Sequence, residues 1–281
     1  MEQRITEQLA DLAEAFDKIG LKPVICGGLG IYLCFHGSES QDRQLIRATT
    51  DIDLMLTESQ VVEQAQRQAI AEIITDRLQY VVREGREHLH FEKDNDQLLD
   101  ILAPPMDGFK CDDVRIKLVS SQLHGRVTKE ACFVEEDLRA IPLSVFLSDD
   151  DRRYDLRVQV PSPTNLLLLK LFAFNDRDES QRFNPERAQA HALDIYITIM
   201  LTSRADYLVG QQFLARHEDS VIIQTAQSIV WNKFYTIEQS GWRRVLESSI
   251  FYPDLNRREK ETKLEEAKRR LIRWFKITHE K

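Results

Sequence analysis

Two aspartates one residue apart inside an apolar run, Asp51-Ile52-Asp53-Leu54-Met55-Leu56, constrain this chain more than any other stretch. Ile52, Leu54 and Leu56 alternate with Asp51 and Asp53, the pattern of a β-strand, in which alternate side chains leave from the same face. Two carboxylates on one edge make a site for a hard divalent cation, and Mg²⁺ prefers a few carboxylates completed by water and phosphate oxygens. Upstream, Val24-Ile25-Cys26 runs into Gly27-Gly28 and an apolar segment, residues 29–35. This predicts a strand, a turn and a helix whose first N–H groups favour anions, phosphate above all. Taken singly, a Gly-Gly after a strand is an ordinary tight turn and Asp-x-Asp an ordinary solvated strand end. Taken together and in this order, they point to metal-assisted chemistry on a nucleotide.

Gly-Gly, a helix, then hydrophobic-Asp-hydrophobic-Asp-hydrophobic resembles the nucleotidyltransferase superfamily. The fuller text, GGLGIYLCFHG followed by RATTDIDL, is similar to the abortive-infection, AbiEii-like branch, the toxin components of bacterial toxin–antitoxin pairs. One departure is the long loop from Ser38 to Ile46, which bears on the entrance of the site.

A chain of 281 residues is long enough for a substantial core and two domains. Cys26, Cys34, Cys111 and Cys132 form no Cys-x-x-Cys pair, the N-terminus is too charged for a signal peptide, and a reducing cytoplasm is expected. The uncharged stretch 195–201 is far short of the roughly 20 residues that span a bilayer, so a membrane is not expected as a partner. The net charge of -8 is uneven. Residues 1–160 hold 19 Lys and Arg against 30 Asp and Glu, or -11; residues 161–281 hold 19 against 16, or +3. An acidic first half repels nucleic acid, so any RNA partner needs local basic surface.

Ile5, Leu9, Leu12, Phe16 and Ile19 recur at helical spacing, with Gly20 as the expected C-cap. After the Asp-x-Asp strand, Thr57 to Gln60 offer N-caps for one long helix to Leu78. Residues 80–83, 88–91 and 98–102 read as short strands, as do 114–119 and 154–160, and 128–147 as a short helix plus strand. Asp100 is the lone carboxylate in the apolar run 98–102, costly there unless paired, hydrogen-bonded or metal-bound. The resemblance makes it the third carboxylate of the site; otherwise it caps a turn before Pro104. The run Asp149-Asp150-Asp151 reads as a solvated turn. Ser162 and Pro163 suit a helix start, and from there the periodicity is helical: 166–174, 188–202, 206–216, 220–235 and 262–276. Trp231 and Trp242 are expected in the core.

The stretch PSPTNLLLLKLFAFNDR, then RAQAHALDIYITIML, extends the likeness to the abortive-infection branch. Its pattern implies functional roles for Lys170, Arg177, His191 and Asp194. The family's Lys-Asp pair is replaced here by Ala190-His191. A charge inside LLLLKLFAF must snorkel, pair or reach a ligand; an ordinary ion pair of Lys170 or Arg177 with Asp194 is the alternative to ligand contact. Across residues 257–276, nine basic and four acidic residues lie beside Trp274 and Phe275. This suits either RNA backbone contact or a solvated amphipathic helix.

The expected architecture is therefore α+β. A polymerase-beta-like mixed sheet with flanking helices spans residues 1–160, and an α-helical domain, 161–281, completes a cleft. The resemblance implies a Mg²⁺-dependent nucleotidyltransferase moving a nucleoside monophosphate from an NTP, ATP among them, to an acceptor hydroxyl on the 3′ end of tRNA or on a protein. It also implies two ions at Asp51, Asp53 and Asp100, NTP contacts from Gly27, Gly28, Arg177 and His191, catalytic parts for Lys170 and Asp194, and a cognate antitoxin. Arg47 and Thr50 are expected to contact nucleotide or acceptor from their proximity in sequence to the paired aspartates. Ser38 and Thr49 flank the site. Two alternatives stay open: transfer to a small molecule such as an aminoglycoside, and a non-catalytic nucleotide- or protein-binding module of the same fold.

Overall fold

A computed structural model of the chain describes residues 3–47, 49–82, 90–94, 97–105, 115–117, 124–178 and 183–277, with backbone alone at 115–117, 124 and 125. Parts of the expected strands 80–83, 88–91 and 114–119 lie outside these residues. The chain divides into two compact units: Met1–Cys34 with Ala48–Ser162, and Phe35–Arg47 with Pro163–Lys281. The segment Phe35–Arg47, which in sequence separates the Gly-Gly turn from the Asp-x-Asp strand, thus belongs to the helical unit.

The first unit opens with helix α1 (Gln3–Asp17), strand β1 (Val24–Ile25) and helix α2 (Gly27–Cys34), followed by β2 (Asp51–Met55). Ile5, Leu9, Leu12 and Phe16 of α1 are buried as their spacing predicts, and Gly20 follows with φ 72°. The long helix expected over 58–78 is three pieces: α3 (Glu58–Val62), α4 (Gln64–Glu72) and a π turn, Ile73–Arg77. Glu63 sits between α3 and α4 with extended backbone, φ -78° and ψ 113°. The Arg67 guanidinium donates to the carbonyls of Val61 and Val62 that the break strands. The N-terminal signal was correctly legible, since Thr57 and Gln60 form a reciprocal capping box.

Strands β3 (Val81–Val82), β4 (His90–Lys93), β5 (Gln97–Ala103), β6 (Arg115–Lys117), β7 (His124–Val127), β8 (Arg139–Pro142) and β9 (Arg157–Val160) complete the unit. The sheet is mixed, in the order β3-β4-β5-β2-β1-β9-β8, with β7 pairing β5 and β6 pairing β7. Strands β2 and β5 run parallel, and β4 is antiparallel to β5. Ile52, Leu54, Leu99 and Ile101 turn inward and join Leu9, Phe16, Leu29 and Ile70 in one apolar cluster. Each such fully buried side chain contributes about 1.5–3 kcal/mol. The opposite face of β2 and β5 carries the aspartates. At Asp151 the solvated turn is tied down by Arg153, whose guanidinium also reaches Asp11 and Glu7 of α1.

The second unit contains α5 (Pro163–Asp178), α6 (Pro185–Leu201), α7 (Arg204–Arg216), α8 (Val221–Phe234), α9 (Ser240–Leu246) and α10 (Arg257–Trp274). Pro163 occupies the first helical position of α5, and Asn184, Ser203, Ser220 and Asn256 cap α6, α7, α8 and α10. Helix α9 escaped the sequence reading because seven residues show little periodicity. It is anchored by Trp242, fully buried, whose indole N–H donates to the Phe234 carbonyl at 2.6 Å. Trp231 is a correction: it is 37% exposed on the outer side of α8 and rests on Tyr235. Helix α10 and its C-cap, Phe275, carry both the basic residues up to Arg273 and the aromatic pair of this segment. Trp274 and Phe275 are buried, so neither is available to stack on a base, and Arg257, Lys268 and Arg270 pair with Glu261, Glu265 and Glu266 of the same helix.

Candidate active site

The carboxylates of the first unit are assembled by strand register. Asp53 of β2 lies directly opposite Asp100 of β5, and Asp51 opposite Leu98. On the other side of β5, His90 of β4 lies opposite Asp100. His90, Asp100 and Asp53 therefore form a row across three adjacent strands, and Asp51 joins the same face two residues along β2. His90 carries no cue in the sequence, because its pairing with Asp100 depends on the register of β4 against β5.

Each carboxylate is held individually. The Thr49 hydroxyl donates to Asp51 Oδ1 at 2.6 Å, and His90 Nδ1 hydrogen-bonds Asp100 Oδ1. Asp53 is fixed through its backbone, whose carbonyl accepts the Cys26 N–H at 2.8 Å. Its carboxylate crosses the Gly-Gly turn. Gly27 has φ 64°, and an ideal Cβ there would lie 1.6 Å from Asp53 Oδ2. Both the left-handed backbone and the missing side chain are needed at this position. A Cβ on Gly28 would touch Thr49 at 3.6 Å, an ordinary contact. The start of α2, the turn and the aspartates thus form one locality, with Thr50 exposed beside it. Among the described residues no three His, Cys, Asp or Glu side chains converge closely enough to hold a metal ion by themselves. Asp53 and Asp100 in register, with Asp51 on the same face, supply hard carboxylate oxygens, the donor type that Mg²⁺ takes in small number and completes with water and phosphate oxygens.

A second cluster belongs to the helical unit. Asp194 of α6 is buried, with Lys170 Nζ of α5 at 2.6 Å and the Arg47 guanidinium on both oxygens at 3.1 and 3.2 Å. Burial works against its charge, but Lys170 and Arg47 outweigh that cost and hold its carboxyl below the usual range. One turn earlier, the Nδ1 of His191 is buried without a hydrogen-bond partner among the described residues. Loss of water, then the charges of Lys170, Arg47 and Arg177, push its pKa down to about 3 against the pull of Asp194. His191 is neutral at pH 7. Lys170 is therefore ion-paired inside the fold, whereas the Arg47 side chain, 34% exposed, keeps a solvent-facing edge. Arg177 is half-buried in the last turn of α5.

The segment that carries Arg47 has its own anchor. Asp42 is buried and accepts the hydroxyls of Tyr196 of α6, at 3.1 Å, and Tyr252. Burial raises both phenol pKa values, which keeps the donors protonated. Ser38 stays near this segment's exposed start, where its hydroxyl accepts the Ser40 N–H. None of Asp42, Tyr196 and Tyr252 stood out in the sequence, because a lone Asp in a polar loop resembles any solvated carboxylate.

A mixed sheet that sets paired aspartates against a glycine turn and helix start, with flanking helices and a helical unit, defines a nucleotidyltransferase. A family described as "Nucleotidyl transferase AbiEii toxin, Type IV TA system" matches residues 8–255. The chain belongs to that family, so it is a toxin-type nucleotidyltransferase whose system includes a cognate antitoxin. No curated protein and no solved structure gives a significant match. No helix among the described residues is long and apolar enough to cross a membrane.

Proposed function

We propose that this chain transfers a nucleoside monophosphate from an NTP to an acceptor hydroxyl in a Mg²⁺-dependent reaction, and that this transfer is the source of its toxicity. The observation that carries the reading is the Asp53–Asp100 register beside Gly27, where the absent Cβ leaves space for a carboxylate at the helix start. Asp51, Asp53 and Asp100 would hold the metal: their oxygens are hard donors on one face, open on the side away from the core. Two bound Mg²⁺ ions would neutralise triphosphate charge and orient the α-phosphorus.

The chain's own groups have separable parts. The first N–H groups of α2, at Gly27 and Gly28, suit triphosphate oxygens. Asp100 accepts the proton of the acceptor hydroxyl on Oδ2, the oxygen that His90 does not engage. The hydroxyl oxygen bonds to the α-phosphorus as the bond to the β-phosphate oxygen breaks, and pyrophosphate leaves. Thr50, exposed next to Asp51, suits a contact to nucleotide. In the helical unit, Arg47 and Arg177 suit anionic groups of the substrates, Lys170 adds positive charge, His191 offers a neutral Nδ1, and Asp194 orients the two cations it binds. The acceptor in this reading is a cellular macromolecule, the tRNA 3′ end or a protein, met in the cytoplasm.

The test is incorporation of label from α-labelled NTPs into total cell RNA or protein, with Mg²⁺ and with EDTA. Transfer by the wild type that falls at least 100-fold in Asp51→Asn and Asp53→Asn supports the reading. Absence of transfer from all four NTPs, or equal transfer by both variants, defeats it. Growth arrest that survives Asp51→Ala/Asp53→Ala removes catalysis as the source of toxicity.

A further inference from the structure

We propose that His90 is a positioning residue of this site, holding Asp100 in the orientation in which it serves metal and acceptor; the proposal rests on the nucleotidyltransferase reading above. Asp100 lies on β5 between two lateral neighbours. On one side is Asp53, a like charge in direct register, and on the other His90, whose Nδ1–H donates to Asp100 Oδ1. Along its own strand face the neighbours are Leu98 and Leu102, which offer no side-chain hydrogen bond. A carboxylate placed so has one like-charged neighbour pushing it away and no polar group along the strand to hold it.

The His90 contact therefore decides where Asp100 points. Engaging Oδ1 from the β4 side restrains rotation about the Cβ–Cγ bond and leaves Oδ2 for metal or acceptor. Both side chains are about one-quarter exposed, at 23% and 24%, so the pair sits at the water-facing edge, where a ligand can reach Asp100, and not in the core. Its cross-strand alternative on β4, Glu92, lies opposite Leu98 and cannot supply a donor. Outer-shell partners that orient a ligating carboxylate or imidazole affect metal affinity by about 10–100-fold.

The experiment is Mn²⁺ titration followed by electron paramagnetic resonance on the full chain, with thermal melts alongside. Asp53→Ala, His90→Phe, His90→Ala and His90→Asn are compared with wild type. The Asn side-chain N–H falls near the position of Nδ1–H and retains the donor. His90→Phe and His90→Ala are expected to raise the Mn²⁺ dissociation constant about tenfold or more, and His90→Asn to stay within about threefold of wild type. If Asp53→Ala abolishes binding while Phe, Ala and Asn all bind as wild type, or if melting falls with no change in Mn²⁺ affinity, the His90 assignment is overturned and the metal reading stands. If wild type binds no Mn²⁺, or Asp53→Ala binds it equally, the metal reading itself fails and His90 falls with it.

Discussion

The Asp53 carboxylate fills the space that any side chain at position 27 would require: a Cβ on Gly27 would lie 1.6 Å from Asp53 Oδ2. The turn and the strand are thus matched as a pair. Gly27→Ala should destabilise the chain by about 1–3 kcal/mol, from overpacking and from the unfavourable φ of 64°. In the Asp53→Ala background the same change should cost less, with a coupling of about 0.5–3 kcal/mol in urea unfolding. Additive effects would mean the two positions do not share this space.

Asp194 carries two cations, so the members of its cluster are unequal. Asp194→Ala leaves Lys170 and Arg47 facing each other without an anion and should cost about 3–5 kcal/mol. Lys170→Met should cost less, because Arg47 still contacts both carboxylate oxygens. Denaturant midpoints of the two variants and of Lys170→Met/Asp194→Leu would check this ranking; the double change should recover part of the single Asp194 loss.

Acid should weaken the fold through His191. Its pKa of about 3 lies below the ordinary 6.5. As pH falls below 6.5, the unfolded chain takes up a proton that the folded chain refuses until about pH 3. Stability therefore declines across that window by at most about 1.4 kcal/mol per pH unit. The carboxyl of Asp194 is shifted in the same sense, downward, and its stabilisation is lost in the same direction. Its contribution is present above the ordinary carboxylate pKa and disappears only as pH falls through the lower folded value. Unfolding at pH 7, 6 and 5 thus isolates the imidazole, and His191→Gln should flatten the slope. An unchanged slope would place the proton uptake elsewhere.

Tyr196→Phe and Tyr252→Phe each remove one of the two phenol donors to buried Asp42. Each should cost about 1–3 kcal/mol, the range for a buried acceptor losing its partner. Asp42→Leu, which removes the charge that needs them, should partly relieve either Phe variant. Melting temperatures of the single and double variants would check this.

Much of the architecture was legible because it rests on local periodicity. Helices α1, α5, α6 and α8 and strand β2 follow from apolar spacing and capping residues within a few positions. The break at Glu63 was not legible, because Arg67 satisfies the interrupted carbonyls from outside the local pattern. Trp231 was misplaced for a related reason: hydrophobicity says a ring can be buried, but only packing decides which side of α8 is covered.

For the site, the amino-acid sequence alone determined the two aspartates on one strand face, the glycine turn ahead of them and a third carboxylate in an apolar run, because each depends on side-chain alternation or on a residue's own backbone freedom. Tertiary structure decided their partnerships. Asp53 meets Asp100, and Asp100 meets His90, through the register of strands far apart in sequence. Arg47 and Asp42 join the helical unit through pairings 147 and 154 residues distant. Long-range contacts of this kind are chosen by the summed burial of whole elements, and no single residue carries their signature.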